Sequence, residues 1–230
     1  MVHFTLFGIP VYIRPSFWVV LAIFGGALSI SSVEDLIYPA LFVIAGFVAI
    51  LSHEMGHALV GRKLGGGQQT IVLELFGGLT SSHGMQLTRG GRALMILAGP
   101  MMTLLLGIIS LGLTWNIVAP VMPSYNLNFW DLAISPFTAA LISPKLYILS
   151  CLIMIGEWWT ILNLLPIYPL DGGQLIAQYI RSPRKVFMTG FITAILIGLL
   201  SFQLFHGYFI PIFMALFAYS NYREYKNAPF

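Results

Sequence analysis

The chain has 230 residues, of which 58% are hydrophobic and only 8% are charged, and its formal net charge is +3. Soluble domains carry about a quarter charged residues, so this composition excludes an ordinary soluble protein and indicates an integral membrane protein. The Lys and Arg residues form no basic stripe, which excludes a nucleic-acid-binding surface.

Apolar stretches predict about six transmembrane helices and thus an all-α polytopic membrane protein. A span needs about 20 residues, so the first and last stretches, which are shorter, must include flanking residues. No linker, repeat or low-complexity tract divides the chain, and residues 1–230 are expected to form a single transmembrane domain. The predicted spans are Phe17–Ser31, Leu36–Val60, Ala93–Ala119, Leu146–Leu165, Val186–Phe205 and Tyr208–Asn221.

Basic residues are distributed unevenly between these spans. Ten of the 11 Lys and Arg residues lie in the N-terminus, the second and fourth connections and the C-terminal tail, whereas Lys145 alone lies on the opposite side. Because cytoplasmic loops carry the excess of positive charge, both termini should be cytoplasmic. The absence of a eukaryotic targeting signal favours the plasma (cell inner) membrane of a prokaryote.

The second predicted span contains the sequence H-E-x-x-H, from His53 to His57. Two histidines four residues apart on a helix project from nearly the same face, so both imidazoles can bind one Zn²⁺. Glu54 can then reach a water activated by the metal and take its proton. The orientation places the motif inside the bilayer, on the order of 5–10 Å from the cytoplasmic edge. The alternative is a membrane helix whose polar side chains bind neighbouring helices or line a proton path.

The segment after this span has the composition of a β-hairpin. Thr70–Phe76 is rich in β-branched and aromatic residues, Gly77-Gly78 follows, and Leu79–Ser82 can form the return strand. If the activated water attacks a peptide bond in a membrane-spanning helix of another protein, that helix must first unwind. An exposed edge of Thr70–Phe76 is therefore expected to capture the extended substrate by strand addition. The alternative is a hairpin that only rests on the membrane surface.

A catalytic zinc usually takes three protein ligands, so the two histidines need one further donor. Asp131 lies on the outer connection, which is the wrong side of the membrane. Glu157 lies in the middle of the fourth span and is interpreted as a paired interior acid. His83 and Glu74 lie on the correct side, but in a flexible stretch flanked by glycine.

Asp171 is the predicted third ligand, and it follows the cytoplasmic end of the fourth span. Pro166 and Pro169 remove backbone donors and should break the helix there. The pair Gly172-Gly173 permits conformations that are closed to other residues. A broken helix at membrane depth is tolerated where it lines a cavity. The alternative is an ordinary turn aspartate in a D-G-G loop.

Four motifs together resemble the site-2 protease family of intramembrane zinc metalloproteases, peptidase family M50. The likeness covers about Phe17 to Arg181, with a catalytic core at about residues 36–181. Family members often carry a PDZ insert or a C-terminal CBS pair, and this chain shows neither, so it resembles a minimal catalytic core, either natural or truncated. The motifs are the H-E-x-x-H sequence, Phe76-Gly77-Gly78, Ala98-Gly99-Pro100 and the segment Asn163-Leu-Leu-Pro-Ile-Tyr-Pro-Leu-Asp-Gly-Gly173.

The resemblance implies a role for each matching residue. His53, His57 and Asp171 would bind one zinc ion per chain. Glu54 would be the general base, and Asn163 would help to hold the substrate or its oxyanion. Gly99 in its A-G-P motif and Gly107 are separately expected to permit close helix packing in the third span.

We therefore expect an intramembrane zinc endopeptidase that cleaves transmembrane segments of single-pass membrane proteins in the cytoplasmic half of the bilayer. Its expected partners are these substrates and the lipid bilayer. The alternative function is a non-catalytic membrane protein that uses the same ligands as a zinc or proton transit site. Such a site usually needs polar residues at several depths, whereas here they cluster at one end. A prenyl-processing protease would also use H-E-x-x-H, but no suitable downstream E-x-x-x-[DH] segment follows.

Overall fold

The computed structural model describes residues 1–75, 77–84, 86–120, 130, 133 and 135–229. They fall into two compact units, 1–160 and 161–230. The strands are β1 (Val2–Leu6), β2 (Ile9–Ile13), β3 (Gln68–Glu74) and β4 (Gly77–His83). The helices are α1 (Pro15–Phe24), α2 (Ile37–Gly65), α3 (Arg89–Val118), α4 (Pro136–Ala140), α5 (Pro144–Asn163), α6 (Asp171–Ala177), α7 (Pro183–Phe205) and α8 (Phe209–Asn227). Two 3₁₀ turns, Ala27–Ser29 and Glu34–Leu36, precede α2.

In the part of the chain that the structure describes, four helices are long and apolar enough to cross a membrane, namely α2, α3, α5 and α7. The protein is therefore a mainly helical, multi-pass membrane protein, as predicted. The count of six spans is not confirmed. The first predicted span overlaps α1, whose 10 residues extend only about 15 Å. The last overlaps α8, which continues past Asn221 through the charged residues Arg223, Glu224 and Lys226.

Helix α1 lies antiparallel to α2 within the first unit. Leu21 packs against Gly46, and Gly25 packs against Phe42, so later residues of α1 meet earlier residues of α2. The helix ends at Phe24, and Gly26 follows with a positive φ of 87°. This turn divides the apolar stretch that was predicted to be one continuous span.

The four strands form one sheet in the order β1-β2-β3-β4. The predicted hairpin is confirmed in β3 and β4, but its predicted turn is wrong, because Gly77 and Gly78 belong to β4 and pair with Glu74 and Leu73. Phe76 lies outside the described residues. An N-terminal hairpin, β1–β2, adds two strands that were not predicted; Phe7 and Gly8 form its turn, both with positive φ. Strand β2 pairs in parallel with β3, and the crossover between them contains α1 and α2.

The predicted exposed edge on strand Thr70–Phe76 is wrong. Strand β3 pairs with β4 along its whole length and with β2 through Ile71–Leu73, so the middle of β3 is bonded on both sides. Among the described residues, the outer strands of the sheet are β1 and β4. These two strands therefore have the long open edges of the sheet.

One face of the sheet packs on the end of α2 that carries the H-E-x-x-H sequence. Alternate residues of β2 and β3 point to this face, because successive side chains of a strand alternate between its two sides. The contact surface on α2 includes Met55 and Ala58. The buried strand residues are Ile9, Val11, Ile13, Ile71 and Leu73.

The second unit holds a short loop between α5 and α6 against α7 and α8. Asn221 of α8 donates a hydrogen bond to the Tyr168 carbonyl at 2.6 Å, and Gln174 donates to the Pro169 carbonyl at 2.9 Å. The peptide bond between Tyr168 and Pro169 is cis. The apolar core beneath the loop consists of Ile167, Ala194, Met214 and Ala218.

A buried pair of hydroxyls joins α3 to α5 in the first unit. Thr103 and Thr160 lie with their Oγ1 atoms 2.9 Å apart, and Thr160 also donates to the Pro100 carbonyl at 3.3 Å. Hydrogen bonds between membrane helices contribute about 0.6 kcal/mol on average and up to about 1.7 kcal/mol.

We predict a measurable coupling between these two threonines. In a double-mutant cycle of Thr103→Val and Thr160→Val, the loss of unfolding free energy in the double variant should be smaller than the sum of the single losses by about 0.6 kcal/mol. Unfolding in SDS measures this difference. Thr114→Val is the matched control, because the Thr114 hydroxyl donates to Ser110 of its own helix. The losses of unfolding free energy caused by Thr114→Val and Thr160→Val should add in the double variant. If the losses caused by Thr103→Val and Thr160→Val also add, the prediction is contradicted.

Candidate active site

Two imidazoles converge on one point beside α2. His53 and His57 lie one turn apart on the same face of the helix and are 1% and 7% exposed. Their Nε2 atoms are 3.1 Å apart. The ring nitrogens that could bind a common ion therefore already face each other, as the spacing in the sequence predicts.

The second nitrogen of His57 fixes the orientation of its ring. Nδ1 lies 2.8 Å from the Met95 carbonyl oxygen of α3. Because a carbonyl only accepts, Nδ1–H must be the donor, and the lone pair of the neutral ring is then on Nε2. Metal-binding histidines are commonly oriented by a hydrogen bond of this kind.

Gly99 leaves the space that the two rings occupy. A Cβ atom at Gly99 would collide with the His57 imidazole and lie 2.9 Å from His53 Nε2. Gly99 thus permits the close packing of α3 on α2 that was expected, at the level of the two histidines. A second close approach of α2 and α3 is at Gly56, where a Cβ would lie 2.8 Å from the Ala98 carbonyl carbon. At Gly107 the nearest atom would be 4.0 Å away.

The arrangement of the two histidines fits zinc. Two nitrogens bound to a tetrahedral zinc at 2.0–2.1 Å lie about 3.3 Å apart, which is close to the separation of the two Nε2 atoms. Imidazole is a preferred zinc ligand, and the hydrogen bond at Nδ1 leaves Nε2 available. The first unit therefore supplies two well-oriented donors for one ion.

The carboxylate of Glu54 is held by strand β4. Glu54 is 5% exposed, and the Thr80 hydroxyl donates to its Oε2 at 2.7 Å. A Cβ atom at Gly78 would lie 2.5 Å from both Cδ and Oε1 of this side chain. The strand thus passes directly over the carboxylate, giving a hydrogen bond at Thr80 and space at Gly78.

The structure argues against most of the competing third donors. Glu74 forms an ion pair with Arg14 at 2.7 Å, and His83 is exposed at the end of β4. Glu157 is exposed on α5, so its interpretation as an interior acid is wrong. Asp131 lies outside the described residues.

Asp171 and Asn163 belong to the second unit, and both are buried. Asn163 is the last residue of α5, and Asp171 is the first residue of α6, so the predicted helix break between them is confirmed. The glycine pair was predicted to adopt a backbone conformation closed to other residues, and the structure gives a different reason for it. Gly172 and Gly173 have helical backbone, and a Cβ on either would lie 2.5 Å from the preceding chain, at the Leu164 carbonyl carbon or the Tyr168 nitrogen.

Sequence reasoning missed the groups that hold these side chains in place. The structure brings His53, Glu54 and His57 together in the first unit, but their partners lie on other elements. Such partners have no local signal, because a threonine in a strand or a carbonyl in a helix is common everywhere. The missed residues are Met95 and Thr80, which hold site side chains, and Gln174 and Asn221, which hold the backbone of the loop between α5 and α6.

Replacing Gly99 should disrupt the metal site. Gly99→Ala puts a methyl group where the two imidazoles converge, so we expect zinc bound to the purified protein to fall well below one ion per chain. Metal analysis after gel filtration measures the content. Gly107→Ala, in the same helix, is the control and should keep its zinc, because its new methyl meets only an ordinary contact at 4.0 Å. Equal zinc in both variants would show that the rings do not bind the ion from this position.

Comparison with known proteins agrees with this geometry. Residues 41–205 match peptidase family M50. A zinc metalloprotease of Methanocaldococcus jannaschii is 29% identical over 227 residues, covering 94% of this chain and 57% of the relative. A protein from Synechocystis sp. is 30% identical over 188 residues, covering 76% of this chain and 43% of the relative. The chain thus spans about half the length of the curated relatives it matches.

A solved structure shows the same fold. The site-2 protease from Methanocaldococcus jannaschii matches with a TM-score of 0.61 and 24% sequence identity, over 97% of this chain and 94% of that one. The family match covers more than half of the chain and includes both histidines, Glu54, Asn163 and Asp171. The chain therefore belongs to peptidase family M50, and zinc is the metal that its paired histidines fit.

Proposed function

We propose that this chain is an intramembrane zinc endopeptidase that hydrolyses peptide bonds in the transmembrane segments of single-pass membrane proteins. The observation that carries the proposal is the convergence of His53 and His57, with Nε2 atoms 3.1 Å apart, next to Glu54 on a helix able to cross a membrane. Ionisable groups are costly in lipid and mark functional sites there. Membership of a peptidase family favours hydrolysis over ion transit.

His53, His57 and Asp171 are the proposed ligands of one zinc ion. Each is buried and offers one ligand atom. Two imidazoles and one carboxylate form a donor set typical of catalytic zinc, which keeps its fourth position open. When bound, the ion lowers the pKa of a coordinated water to about 7 and polarises the carbonyl of the scissile peptide bond.

Glu54 is the proposed proton carrier. Its carboxylate accepts a proton from the attacking water as the water oxygen bonds to the carbonyl carbon. It then returns the proton to the amine nitrogen as the C–N bond breaks. Thr80 donates to Oε2 and so limits the orientations of this carboxylate. The side-chain amide of Asn163 is proposed to hold the substrate or the oxyanion that develops on it.

The proposed orientation puts both termini and the catalytic end of α2 on the cytoplasmic side of a prokaryotic plasma membrane. Arg62 and Lys63 lie in the last turn of α2, and α3 begins at Arg89. Between the end of α3 and the first turn of α5, the only Lys or Arg in the sequence is Lys145, the second residue of α5. This asymmetry of charge supports cleavage in the cytoplasmic half of the bilayer.

Strand β4 is the proposed docking site for the substrate. A helical segment that unwinds loses its internal hydrogen bonds, and a sheet edge can replace them by strand addition. An added strand would lie about 4.8 Å from β4, which itself contacts Glu54 through Thr80. The outer edge of β1 belongs to the other side of the sheet, three strands away from that contact.

The roles of Glu54 and Asp171 can be separated by measuring zinc and cleavage together. Glu54→Gln should retain about one zinc per chain and lose cleavage of a model single-span substrate by about 10²–10⁴-fold, because the general base is removed. Asp171→Ala should weaken zinc binding by more than about 100-fold, because a direct ligand matters at least as much as the groups that orient ligands.

The matched control is Glu157→Gln, the same change at an exposed carboxylate of α5, which should leave both quantities unchanged. Cleavage by Glu54→Gln at the wild-type rate would overturn the proposed mechanism. Full zinc affinity in Asp171→Ala would show that the third ligand is another residue.

Disulfide crosslinking can locate the docking strand. In a Glu54→Gln, Cys151→Ala background that cannot turn over substrate, Leu79→Cys on β4 should crosslink to a cysteine in the scissile region of the substrate. Thr5→Cys on the exposed edge strand β1 is the control and should not. Leu79 is 54% exposed, so its replacement is accessible. Equal yields at the two strands, or crosslinking at Thr5 alone, would exclude β4 as the docking strand.

A further inference from the structure

One face of strand β4 encloses the carboxylate of Glu54. Gly78 and Thr80 are two residues apart, so they point to the same face of the strand. Gly78 leaves space for Cδ and Oε1, and Thr80 donates to Oε2 at 2.7 Å. The register of the sheet sets both contacts, because Thr80 pairs with Ile71 and Gly78 pairs with Leu73.

We propose that Thr80 is a positioning residue for Glu54, and that β4 aligns the general base with the substrate segment bound along the same strand. The inference rests on the proposed function. A glutamate side chain has several rotatable bonds, and a fixed carboxylate reacts faster than one that must first find its orientation. A short hydrogen bond to one carboxylate oxygen limits this freedom while the other oxygen remains available.

Because β4 is an outer strand of the sheet, the contact between Thr80 and Glu54 also affects where the base lies relative to the substrate. Strand β4 contacts the Glu54 side chain on one face, and the proposed substrate strand adds along its edge. Since Gly78 and Thr80 approach the carboxylate from this strand, the distance from base to scissile bond depends on one rigid element. Loss of the Thr80 hydroxyl should therefore lower kcat, whereas the backbone hydrogen bonds that determine KM remain.

A purely structural role for Thr80 is the competing explanation. Its hydroxyl also lies 3.2 Å from the Glu54 carbonyl oxygen and could serve only to attach β4 to α2. In that case its loss would change the unfolding midpoint, and it would change zinc binding and KM along with kcat. A positioning role changes kcat alone and is restored by any side chain that keeps the hydroxyl.

The experiment compares Thr80→Val, Thr80→Ser and the control Thr70→Val. Valine has the shape of threonine without its hydroxyl, and serine keeps the hydroxyl. Thr70 lies on β3 next to Ile71, the partner of Thr80, so its side chain points to the opposite face of the sheet. For each variant, kcat and KM for a single-span substrate, zinc content and the unfolding midpoint are measured.

We expect Thr80→Val to lower kcat by about 10- to 100-fold with KM, zinc content and midpoint near wild type. Thr80→Ser should retain most of the wild-type kcat, and Thr70→Val should be unchanged. If Thr80→Val does not fold, Thr80→Ala provides the same comparison without a methyl group placed against the carboxylate. An unchanged kcat in the variant that lacks the hydroxyl would overturn the proposal, as would a Thr80→Ser variant no better than Thr80→Val.

Glu54→Gln, measured in the same series, separates this inference from the function on which it rests. If Glu54→Gln is inactive and Thr80→Val is fully active, the base is correct and only its positioning by Thr80 is wrong. If Glu54→Gln cleaves at the wild-type rate, the proposed mechanism itself fails.

Discussion

The burial of two imidazoles and a carboxylate on an apolar helix is the constraint on which the first unit depends. Lipid offers no hydrogen bonds, so each buried polar group needs a partner from the protein. The partners come from two other elements, since Met95 of α3 accepts from His57 and Thr80 of β4 donates to Glu54. Helix α3 and strand β4 must therefore both approach α2 at the level of the H-E-x-x-H sequence. Glycines on the two elements make this approach possible.

The N-terminal strands explain how β4 can keep its position against α2. A two-stranded hairpin alone is marginally stable in water, and its strands can shift in register. Here β3 is bonded on both sides, and the parallel contact between Val11–Ile13 and Ile71–Leu73 joins segments that are distant in sequence. The apolar face of β2 and β3 packs on α2. The register of β4, and with it the position of Thr80, is thus determined by the whole sheet and not by the turn between β3 and β4 alone.

Features that depend only on residues close together in the sequence were predictable. The histidine pair, the helix break before Asp171 and the β3–β4 hairpin each follow from a short pattern. The edge strand was misassigned because β1 and β2 were not predicted, although Ile9, Val11 and Ile13 alternate with less buried residues. That alternation is short and lies next to an apolar stretch, and parallel pairing with a strand 60 residues later has no local signature. The length of α1 was misjudged because apolar composition does not reveal the turn that begins at Gly25.

The glycines of the site show why the remaining features require the three-dimensional structure. Gly99 and Gly112 lie in the same apolar helix and are equivalent by composition. A Cβ at Gly112 would meet nothing within 4 Å, whereas one at Gly99 would enter the space of the imidazoles. Gly78 is likewise required by the carboxylate beneath it, and its backbone is not in the left-handed region. These glycines matter for the volume that they leave empty, and only the neighbours supplied by other elements determine where that volume is needed. On one face of β4, Gly78 leaves space for the Glu54 carboxylate and Thr80 donates a hydrogen bond to it. Together these two residues define the position of the proposed base.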